Sequence, residues 1–321
     1  MKAIVESKIP FLSGLLTDET PTEVIVLPAN EITPEAVRDA DALFVRTRTR
    51  CNAALLEGSA VKFIATATIG TDHIDLDWCN ARGITVVNAP GCNAPAVAQW
   101  MFAAAEALAG SQLQGLTLGV VGVGHVGSIV SRYGESLGMK VMECDPPKGL
   151  PLSLEEVAYN ADILTFHTPL TTDGQWPTRH MFDSRIASLM KPGAIVMNAA
   201  RGPVTDTRAL LEAPVRCAID CWEGEPAISQ ELLEKAEVAT PHIAGYSSQG
   251  KMRATIMVLE AYKKWLGLPP QSSVIVRPAS LTIRPGEALK SYDIMADTRS
   301  LKGRPDQFEN LRNSYNLRHE L

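Results

Sequence analysis

The sequence has little of what secreted, membrane-spanning or nucleic-acid-binding proteins need. Of its 321 residues, 30 are Lys or Arg and 36 are Asp or Glu, so the net charge is −6 and no general basic surface is available for nucleic acid. The longest apolar stretch, residues 97–109, contains Gln99 and Glu106 and is too short to span a bilayer. Glu6 and Lys8 stand where a signal peptide needs apolar residues. We therefore predict a cytoplasmic protein without nucleic-acid or membrane partners.

Cysteines and histidines are spaced in ways that argue against two further kinds of site. The six cysteines form no CxxC pair; they are Cys51, Cys79, Cys92, Cys144, Cys217 and Cys221. In a chain of this length we expect them to be small core residues in a reducing compartment rather than a disulfide framework. The histidines His73, His125, His167 and His180 are also scattered, so no metal site is predicted.

What the sequence does contain is a repeated alternation of short apolar runs with polar or helical connectors. In the amino-terminal part the apolar runs occupy residues 3–5, 24–27, 42–46, 63–68 and 85–88. Nearly every residue in them is apolar, as expected for parallel strands that are covered on both faces. Thr33 and Pro34 predict the N-cap and the first residue of a helix before the third strand. These patterns predict a small open α/β unit.

A second α/β series follows a long helix predicted at residues 96–109, which is apolar nearly all round and should be buried. Strands are predicted at 117–121, 140–144, 163–166, 194–198, 216–219 and 238–239, with helices between them, for example at 126–137 and 183–190. Strands alternating with crossover helices match a doubly wound dinucleotide-binding fold. A helix at 248–265 comes too late for this sheet, so we expect it to return to the first unit.

A glycine-rich motif lies between the first strand and the first helix of this second series. It reads Gly122-Val123-Gly124-His125-Val126-Gly127, which is G-x-G-x-x-G in the strand–turn–helix context that dinucleotide binding requires. Gly122 permits the tight turn, Gly124 lets the backbone approach a pyrophosphate, and Gly127 packs the helix on the strand. The alternative is a simple glycine turn before a helix.

Asp145 follows the next strand, 18 positions after Gly127. A carboxylate there would accept hydrogen bonds from the ribose hydroxyls and repel a 2′-phosphate. No arginine follows Asp145 immediately, so the sequence favours NAD over NADP as the cofactor. The alternative is an ordinary surface aspartate.

Three chemically useful residues follow later strands of the same series, where the carboxyl edge of the sheet binds ligands. Arg201 suits a bidentate grip on a carboxylate, and His242 suits proton transfer near neutral pH. Glu225 beside the histidine would fix its tautomer and favour the imidazolium form. Taken singly, these residues have ordinary alternatives: a surface ion pair, a loop histidine and a helix charge.

With these motifs, the sequence resembles the D-isomer-specific 2-hydroxyacid dehydrogenases. The glycine-rich motif, residues 198–202, the Glu225-Pro226 pair and the Pro241-His242 pair all fit the family signature. The resemblance implies that Arg201 binds the substrate carboxylate and carbonyl, that His242 is the acid/base, and that Glu225 pairs with the histidine. It also implies that Asp145, Thr168, Asp220 and Gly245 contact NAD.

Further segments resemble the branch of this family that oxidises 4-phospho-D-erythronate during pyridoxal 5′-phosphate synthesis. They include residues 45–47, 65–73, 89–94, 144–147, 166–171, 222–226, 242–246 and, in the tail, 305–312. By this resemblance, Thr47, Thr68 and Tyr246 contact the substrate, a small phosphorylated 2-hydroxy acid. Arg46, Arg48 and Arg50 occupy every second position, so in an extended segment all three would lie on one side and present a basic edge to the phosphate. The alternative is a solvated basic edge.

Together the patterns and the resemblance predict the fold class α/β, with two doubly wound parallel-sheet domains. The predicted domains are a flavodoxin-like substrate domain (1–93 and 245–268), a Rossmann NAD domain (94–244) and a small C-terminal α+β dimerisation domain (269–321). The last has one candidate strand and an amphipathic helix near 307–317, and because it is too small to fold alone it suggests a homodimer. Two functional alternatives stay open: a sister dehydrogenase acting on 3-phosphoglycerate or hydroxypyruvate, and a non-catalytic NAD-sensing corepressor or scaffold.

Overall fold

The computed structural model describes residues 1–276 and 280–321, and it divides into two compact units. Within the described ranges, the first unit comprises residues 1–93 and 248–276 and the second comprises 94–247 and 280–321. The elements of the first segment are β1 (Lys2–Glu6), α1 (Leu12–Glu19), β2 (Glu23–Leu27), α2 (Pro34–Val37), β3 (Ala42–Val45), α3 (Ala53–Leu56), β4 (Phe63–Thr66), α4 (Leu76–Ala81) and β5 (Thr85–Val87).

The first unit is built on a parallel five-stranded sheet in the order β2-β1-β3-β4-β5. Both faces of its central strands are buried, because successive apolar side chains point to opposite cores: Phe44 to one, Leu43 and Val45 to the other. The predicted strands are confirmed, although β3 and β5 each end one residue earlier than predicted and β4 ends two residues earlier. Thr33 is the N-cap of α2, as predicted, and accepts a hydrogen bond from the Ala36 amide at 3.4 Å.

The second unit begins with α5 and a parallel six-stranded sheet. Its elements up to residue 247 are α5 (Ala94–Ala109), β6 (Thr117–Val121), α6 (His125–Ser136), β7 (Lys140–Cys144), α7 (Leu154–Asn160), β8 (Ile163–Phe166), α8 (Ser184–Ala187), β9 (Ile195–Asn198), α9 (Thr207–Glu212), β10 (Arg216–Ile219), α10 (Gln230–Lys235) and β11 (Val238–Ala239). The strand order is β11-β10-β9-β8-β6-β7, so the chain reverses direction across the sheet between β6 and β8. Ligands bind at such switch points in open parallel sheets.

The next helix, α11 (Ser248–Trp265), belongs to the first unit, as the sequence predicts. Its Tyr262 is fully buried and lies 5.2 Å, ring centre to ring centre, from both Phe44 and Phe63. An ion pair joins Lys263 of α11 to Glu19 at the end of α1, with Nζ and Oε2 2.7 Å apart. In the described part of the chain, no helix is both long and apolar enough to cross a membrane.

The C-terminal tail differs from its prediction in two ways. Its described elements are all helical: α12 (Glu287–Ser291), α13 (Ile294–Gly303) and α14 (Phe308–Asn313). Within residues 280–321 no strand forms, and β-pairing is limited to one bridge between Ser247 and Arg318, so the predicted α+β character is wrong for this range. The described tail also forms no unit of its own, because it belongs to the second unit.

The physical reason lies in two polar residues of the otherwise apolar α5. Gln99 and Glu106 are buried, and buried polar groups need partners. Glu106 accepts hydrogen bonds from the backbone amides of Gly286 and Leu289 at 2.7 and 2.8 Å, so it holds the start of α12. Gln99 donates to the Ser291 hydroxyl at 2.9 Å. The tail is therefore needed to satisfy α5, and it completes the core of the second unit.

Candidate active site

The glycine-rich loop joins β6 to α6 and leaves no room for side chains at two of its glycines. Gly122 has φ 85° and lies against Thr168, which follows β8; an added Cβ would come within 2.8 Å of the Thr168 methyl group. A Cβ at Gly127 would come within 2.0 Å of the Gly122 carbonyl oxygen. At Gly124, the N-cap of α6, a Cβ would meet nothing within 4 Å. Packing within the protein therefore explains why glycine occupies positions 122 and 127, but it does not explain the glycine at position 124.

The end of β7 supports this loop. The Asp145 carboxylate accepts a hydrogen bond from the Val123 amide at 2.8 Å, and the Lys148 ammonium donates to the Val123 carbonyl at 2.5 Å. Asp145 thus lies beside the glycine-rich loop, where the sequence places it. His125 and Val126 form the first turn of α6, and His125 is exposed. The positive end of this helix dipole favours an anion.

The ends of β9, β10 and β11 carry the three predicted catalytic residues. These strands are neighbours in a parallel sheet, so Arg201, Glu225 and His242 follow its carboxyl edge. Buried Asn198 shapes the first of these loops, because its amide donates to the Arg201 carbonyl at 2.9 Å and to the Thr205 hydroxyl at 3.0 Å.

His242 and Glu225 form a direct pair, with Nδ1 and Oε1 2.5 Å apart. Each side chain keeps 24% of its surface exposed, so the pair is accessible to a ligand. The second carboxylate oxygen of Glu225 accepts a hydrogen bond from the Trp222 amide at 3.3 Å. Burial acts to raise the pKa of Glu225, but the hydrogen bond and charge of His242, with help from Trp222 and Arg312, hold it below its ordinary value. Nδ1 is therefore engaged by a carboxylate, and Nε2 is the ring nitrogen left for a substrate.

Asp220 is predicted to contact NAD, and the structure places both of its carboxylate oxygens on the His242 loop. Oδ1 accepts from the Thr240 hydroxyl at 2.5 Å and from the Ile243 amide at 2.8 Å, and Oδ2 accepts from the Ala244 amide at 3.0 Å. Burial raises the pKa of Asp220, while nearby His242 and these hydrogen bonds act to lower it. Asp220 is thus a support for the loop.

Three predicted substrate residues lie in the first unit, at the carboxyl ends of β3 and β4. Arg46 and Thr47 follow β3, and the carboxylate of the buried Glu6 accepts a hydrogen bond from the Arg46 backbone amide at 2.8 Å. Thr68 follows β4 and its hydroxyl is 2.6 Å from that of Thr66. Among side-chain atoms of the described residues, Arg46 Nε is buried without a hydrogen-bond partner.

The fourth predicted substrate residue, Tyr246, follows Gly245 in the second unit and contacts the tail. Its ring meets that of Tyr315 edge-on at 6.2 Å. Burial acts to lower the pKa of Arg312 in the tail, but Tyr246 and Glu225 hold it above its ordinary value. Arg312 is not among the residues predicted from the sequence, although its charge reaches both Glu225 and the buried Cys221. The sequence does offer one sign that Arg312 faces the protein. Phe308 and Arg312 are four residues apart in a stretch predicted to be helical, so Arg312 shares a helix face with an apolar residue.

Two histidines outside the pair are also accounted for. His167 is partly buried, and desolvation lowers its pKa to about 3, so it is neutral; its Nε2 lies 3.1 Å from the Thr165 hydroxyl. His180 lies in a group that the sequence spacing does not reveal: ligand-type atoms of His180, Asp206 and Glu223 lie within 4.8 Å of one another. Glu223 already contacts the His180 ring at 2.6 Å and accepts a hydrogen bond from the Thr207 hydroxyl at 2.8 Å, so the contacts seen are those of a hydrogen-bond network.

The arrangement matches known dehydrogenases. Residues 94–244 match the family described as D-isomer specific 2-hydroxyacid dehydrogenase, NAD binding domain. The fold is similar to the TT0316 protein from Thermus thermophilus (TM-score 0.72, 30% identity, 85% of this chain and 100% of that one). It is also similar to D-lactate dehydrogenase from Aquifex aeolicus, complexed with NAD and lactic acid (TM-score 0.68, 26% identity, 83% and 96%).

Relatives over the full length are closer in sequence. The chain belongs to the D-isomer specific 2-hydroxyacid dehydrogenase family, and its second unit carries the NAD-binding domain of these enzymes. Erythronate-4-phosphate dehydrogenase of Bacteroides fragilis is 44% identical over 100% of this chain and 97% of its own length. The enzyme of that name from Klebsiella pneumoniae is 40% identical over 100% of this chain and 92% of its own.

Proposed function

We propose that this protein oxidises 4-phospho-D-erythronate to 3-hydroxy-2-oxo-4-phosphooxybutanoate with NAD, in the synthesis of pyridoxal 5′-phosphate. The observation that carries the chemistry is the His242–Glu225 pair, 2.5 Å apart at the strand ends of an NAD-binding domain. The substrate is suggested by the full-length relatives, which are erythronate-4-phosphate dehydrogenases at 40–44% identity. We also assign the two units to particular folds: the second unit is a Rossmann NAD domain and the first is a flavodoxin-like substrate domain. The five-stranded order β2-β1-β3-β4-β5 of the first unit supports the flavodoxin-like assignment.

The residues around the glycine-rich loop fit NAD. Gly124 has an ordinary φ of −80° and open space at its Cβ position, so the described protein itself does not require a glycine there. A pyrophosphate approaching the N-terminus of α6 does require one. Asp145 would hold the ribose hydroxyls, and Thr168 and Gly245 would contact the remainder of the cofactor. When bound, NAD supplies the acceptor for the hydride.

The catalytic roles follow from charge and geometry. Arg201 binds the substrate carboxylate, which places C2 of the substrate in the site. His242 Nε2 takes the proton of the C2 hydroxyl while the hydrogen on C2 leaves as hydride, so the carbon becomes a carbonyl. Glu225 stabilises the imidazolium that forms and, through Nδ1, fixes the ring orientation.

The phosphate needs a cation in a protein of net charge −6, and Arg46 supplies one. A buried guanidinium N–H without a partner carries a desolvation cost that an anionic oxygen would offset. Thr47 is exposed beside it, and Thr68 follows the neighbouring strand. We assign these three residues, with Tyr246, to the substrate.

The assay that tests the function follows the absorbance of NADH formed from 4-phospho-D-erythronate, 3-phosphoglycerate and D-glycerate side by side. A 2-oxo acid is tested in parallel, in case the NADH formed stays bound. Selective oxidation of 4-phospho-D-erythronate supports the proposal. Preference for 3-phosphoglycerate would support the proposed hydride-transfer chemistry but contradict the proposed substrate. NAD binding without turnover of any compound would favour the corepressor or scaffold alternative.

Arg46→Gln tests the phosphate site. We expect KM for 4-phospho-D-erythronate to rise about 10- to 100-fold, the range for one lost charge-assisted hydrogen bond, with a smaller effect on D-glycerate. Arg38→Gln is the matched control, because Arg38 is an exposed arginine of the same unit. Equal effects of Arg46→Gln on the phosphorylated and unphosphorylated substrates would contradict the assignment.

The proposal extends to assembly and location: a homodimer formed through the C-terminal residues 269–321, acting in the cytoplasm. Two apolar side chains near the start of this range support the dimer, since Ile275 is 87% exposed and Leu281 is 63% exposed. The six cysteines are all buried and free, as expected in a reducing compartment. Light scattering behind a sizing column tests the dimer, and a monomer at micromolar concentration would contradict it.

A further inference from the structure

The loop that follows β11 carries three groups of the proposed site within five residues. His242 is the proposed acid/base, Gly245 is a proposed NAD contact and Tyr246 is a proposed substrate contact. The loop begins under strain, because His242 has φ 56°, a left-handed conformation that a non-glycine residue keeps only when its surroundings enforce it. Asp220 accepts hydrogen bonds from amides of this loop, so its carbonyls need a different partner.

Arg318 supplies that partner from the C-terminal tail. Its residue is only 8% exposed, and its Nη1 donates to the carbonyls of Ile243 at 3.0 Å and Tyr246 at 3.1 Å. Its Nη2 donates to the carbonyl of Ala244. A single guanidinium group therefore binds the loop backbone on both sides of Gly245.

The same guanidinium group is fixed in place by helix α5 and by an aromatic ring. Its Nη2 also donates to the Ala96 carbonyl at 3.0 Å, and its Nε donates to Oε1 of the buried Gln99 at 3.3 Å. Its Cζ lies 4.4 Å from the centre of the Tyr292 ring, a distance at which a cation and a ring attract each other. The group therefore links the loop to the rigid start of α5.

The backbone around Arg318 is attached to the end of the same loop. A β-bridge pairs Ser247 with Arg318, and the Ser247 hydroxyl donates to Oε1 of Glu320 at 2.6 Å. On the other side of the tail, Gln99 donates to the carbonyl of His319 at 3.1 Å. These contacts hold the tail on α5 and on the loop at once, so the guanidinium group has a defined place from which to act.

We propose that Arg318 is a positioning residue of the dehydrogenase reaction. From the tail it sets the backbone of residues 242–246, so that His242, Gly245 and Tyr246 meet the substrate and the cofactor in one arrangement. This inference rests on the proposed function, because the roles of those three residues are proposed there. It assigns to the tail, beyond any part in dimerisation, the placement of the acid/base.

The geometry requires an arginine rather than any cation. A guanidinium group carries five N–H donors in one plane, which allows it to bind the loop and α5 simultaneously. A lysine ammonium has three donors on a single atom and cannot reach both sets of acceptors. Arg318→Lys therefore keeps the charge and loses part of the contact, whereas Arg318→Ala loses both.

The test measures two properties of Arg318→Ala. The first is amide hydrogen exchange of residues 243–247, followed by mass spectrometry on the full chain without substrate. The second is kcat with 4-phospho-D-erythronate, together with the affinity for NADH. Both are repeated with millimolar guanidinium chloride, and with methylammonium chloride at the same ionic strength, because a guanidinium ion can occupy the space that the side chain leaves.

Two variants in the same tail-containing unit are controls. Glu106→Gln weakens another buried attachment of the tail to α5, seven residues or about 10 Å along the helix from Gln99. Arg299→Ala removes a tail arginine whose side chain is 68% exposed. Glu106→Gln thus tests general loosening of the tail, and Arg299→Ala tests loss of charge alone.

For Arg318→Ala we expect exchange in the loop to become about 10- to 100-fold faster, the range for lost hydrogen bonds from a charged donor. We expect kcat to fall about 10- to 100-fold, since a displacement of about 1 Å of the base is enough for that. NADH affinity should change by at most about threefold, because the proposed pyrophosphate and ribose contacts follow β6 and β7.

Added guanidinium should recover about threefold or more of the lost kcat and slow the exchange, because it restores the planar donors, and methylammonium should not. Both control variants should keep loop exchange and kcat within about twofold of the wild type. If Arg318→Ala does not fold, Arg318→Lys takes its place, with a smaller change expected in the same direction.

Four results would overturn the inference. Loop exchange in the Arg318 variant could equal that of the wild type; exchange could rise while kcat stays normal, which would show a purely structural role; Glu106→Gln or Arg299→Ala could lower kcat as much; or guanidinium could restore neither property of folded Arg318→Ala, which would indicate lost packing rather than lost donors. A wild type that oxidises none of the compounds contradicts the proposed function, whereas the exchange measurement, which needs no substrate, still decides whether Arg318 holds the loop.

Discussion

Asp220, at the end of β10, holds the backbone of the loop after β11, because its carboxylate accepts a hydrogen bond from the Ile243 amide at 2.8 Å. The residue before Ile243, His242, has φ 56°, a left-handed conformation that costs a non-glycine residue free energy and persists only when its surroundings enforce it. Asp220 supplies that support from one side of the loop, and Arg318 supplies it from the other. The ring of His242 is thereby directed by contacts that are not themselves part of proton transfer.

Asp220→Asn should therefore damage both stability and activity. An amide side chain has one acceptor oxygen, whereas the carboxylate accepts from three N–H or O–H donors and from the Cys221 thiol at 3.9 Å, so at least one buried donor loses its partner. We expect a loss of about 1–3 kcal/mol in the free energy of unfolding and a fall in kcat. Urea unfolding and steady-state kinetics check this, with Asp173→Asn in an exposed loop as the control. Wild-type stability in Asp220→Asn would contradict the role given to this carboxylate.

Glu225→Gln should change the pH dependence of the oxidation in a defined direction. In this direction of the reaction His242 must be neutral to accept a proton, and Glu225 favours the protonated ring. Removing the negative charge should move the acidic limb of the kcat/KM profile down by about one pH unit and lower kcat. The profile measured with 4-phospho-D-erythronate checks this, and an upward movement of the limb would mean that Glu225 does not act on the histidine as a carboxylate.

Replacing His242 itself should remove the general base. His242→Gln is expected to lower kcat by roughly 10²- to 10⁴-fold while NADH still binds. His319→Gln is the matched control, because His319 is exposed in the tail. Near-normal turnover in His242→Gln would refute the assignment.

The two glycines of the dinucleotide loop should respond differently to alanine. Gly127→Ala places a methyl group within 2.0 Å of the Gly122 carbonyl, so the loop must move and both stability and NAD binding should suffer. Gly124→Ala meets nothing in the described protein and should fold normally, yet weaken NAD binding by obstructing the pyrophosphate. Thermal unfolding and NADH fluorescence separate the two effects. Unchanged NADH affinity in Gly124→Ala would place the cofactor elsewhere.

The Glu19–Lys263 pair should make the stability of the first unit dependent on pH. Burial acts to raise the pKa of Glu19, but hydrogen bonds from Lys263 and Ser273 lower it to about 2, from the ordinary value of 4.5. Because the folded pKa lies below the unfolded one, this stabilisation is complete above about pH 4.5 and is lost as the pH falls towards 2. Glu19→Gln should cost about 1–3 kcal/mol at neutral pH and progressively less in acid.

Urea unfolding of the wild type and of Glu19→Gln at several pH values measures this difference. Glu23→Gln, in an exposed position of the adjacent strand, is the control. A difference between wild type and Glu19→Gln that stayed constant down to about pH 3 would show that the charge of Glu19 is not what stabilises the pair.

Much of the sheet architecture could be predicted because it follows from local patterns. The run at 117–121 becomes β6 with the predicted bounds, since a strand buried on both faces has to be largely apolar. The run at 140–144 also becomes β7 with the predicted bounds, although this strand lies at the edge of the sheet and carries Lys140 and Glu143. Asp145 lies beside the glycine-rich loop for a similar reason: a parallel sheet brings the carboxyl ends of β6 and β7 to one edge. Strand ends therefore predict which side chains share a site.

The tail could not be predicted in the same way. Gln99 and Glu106 look like interruptions in an apolar helix until their partners, about 180 residues further along the chain, are known. Likewise, nothing local indicates that the buried Arg318 donates hydrogen bonds to the carbonyls of Ile243 and Tyr246. The helix near 307–317 ends early, at Asn313, because the residues after it bind the His242 loop instead of continuing the helix.

The sequence by itself determined the two parallel sheets, the glycine-rich loop and the order in which the proposed catalytic residues follow the strand ends. These properties depend on hydrophobic periodicity, on glycine conformation and on the direction of parallel strands, all of which are encoded within a few residues. Tertiary structure alone decided that the tail completes the second unit and that Asp220 and Arg318 hold the His242 loop. Those contacts join residues far apart in the chain, and burial then selects which polar partners meet.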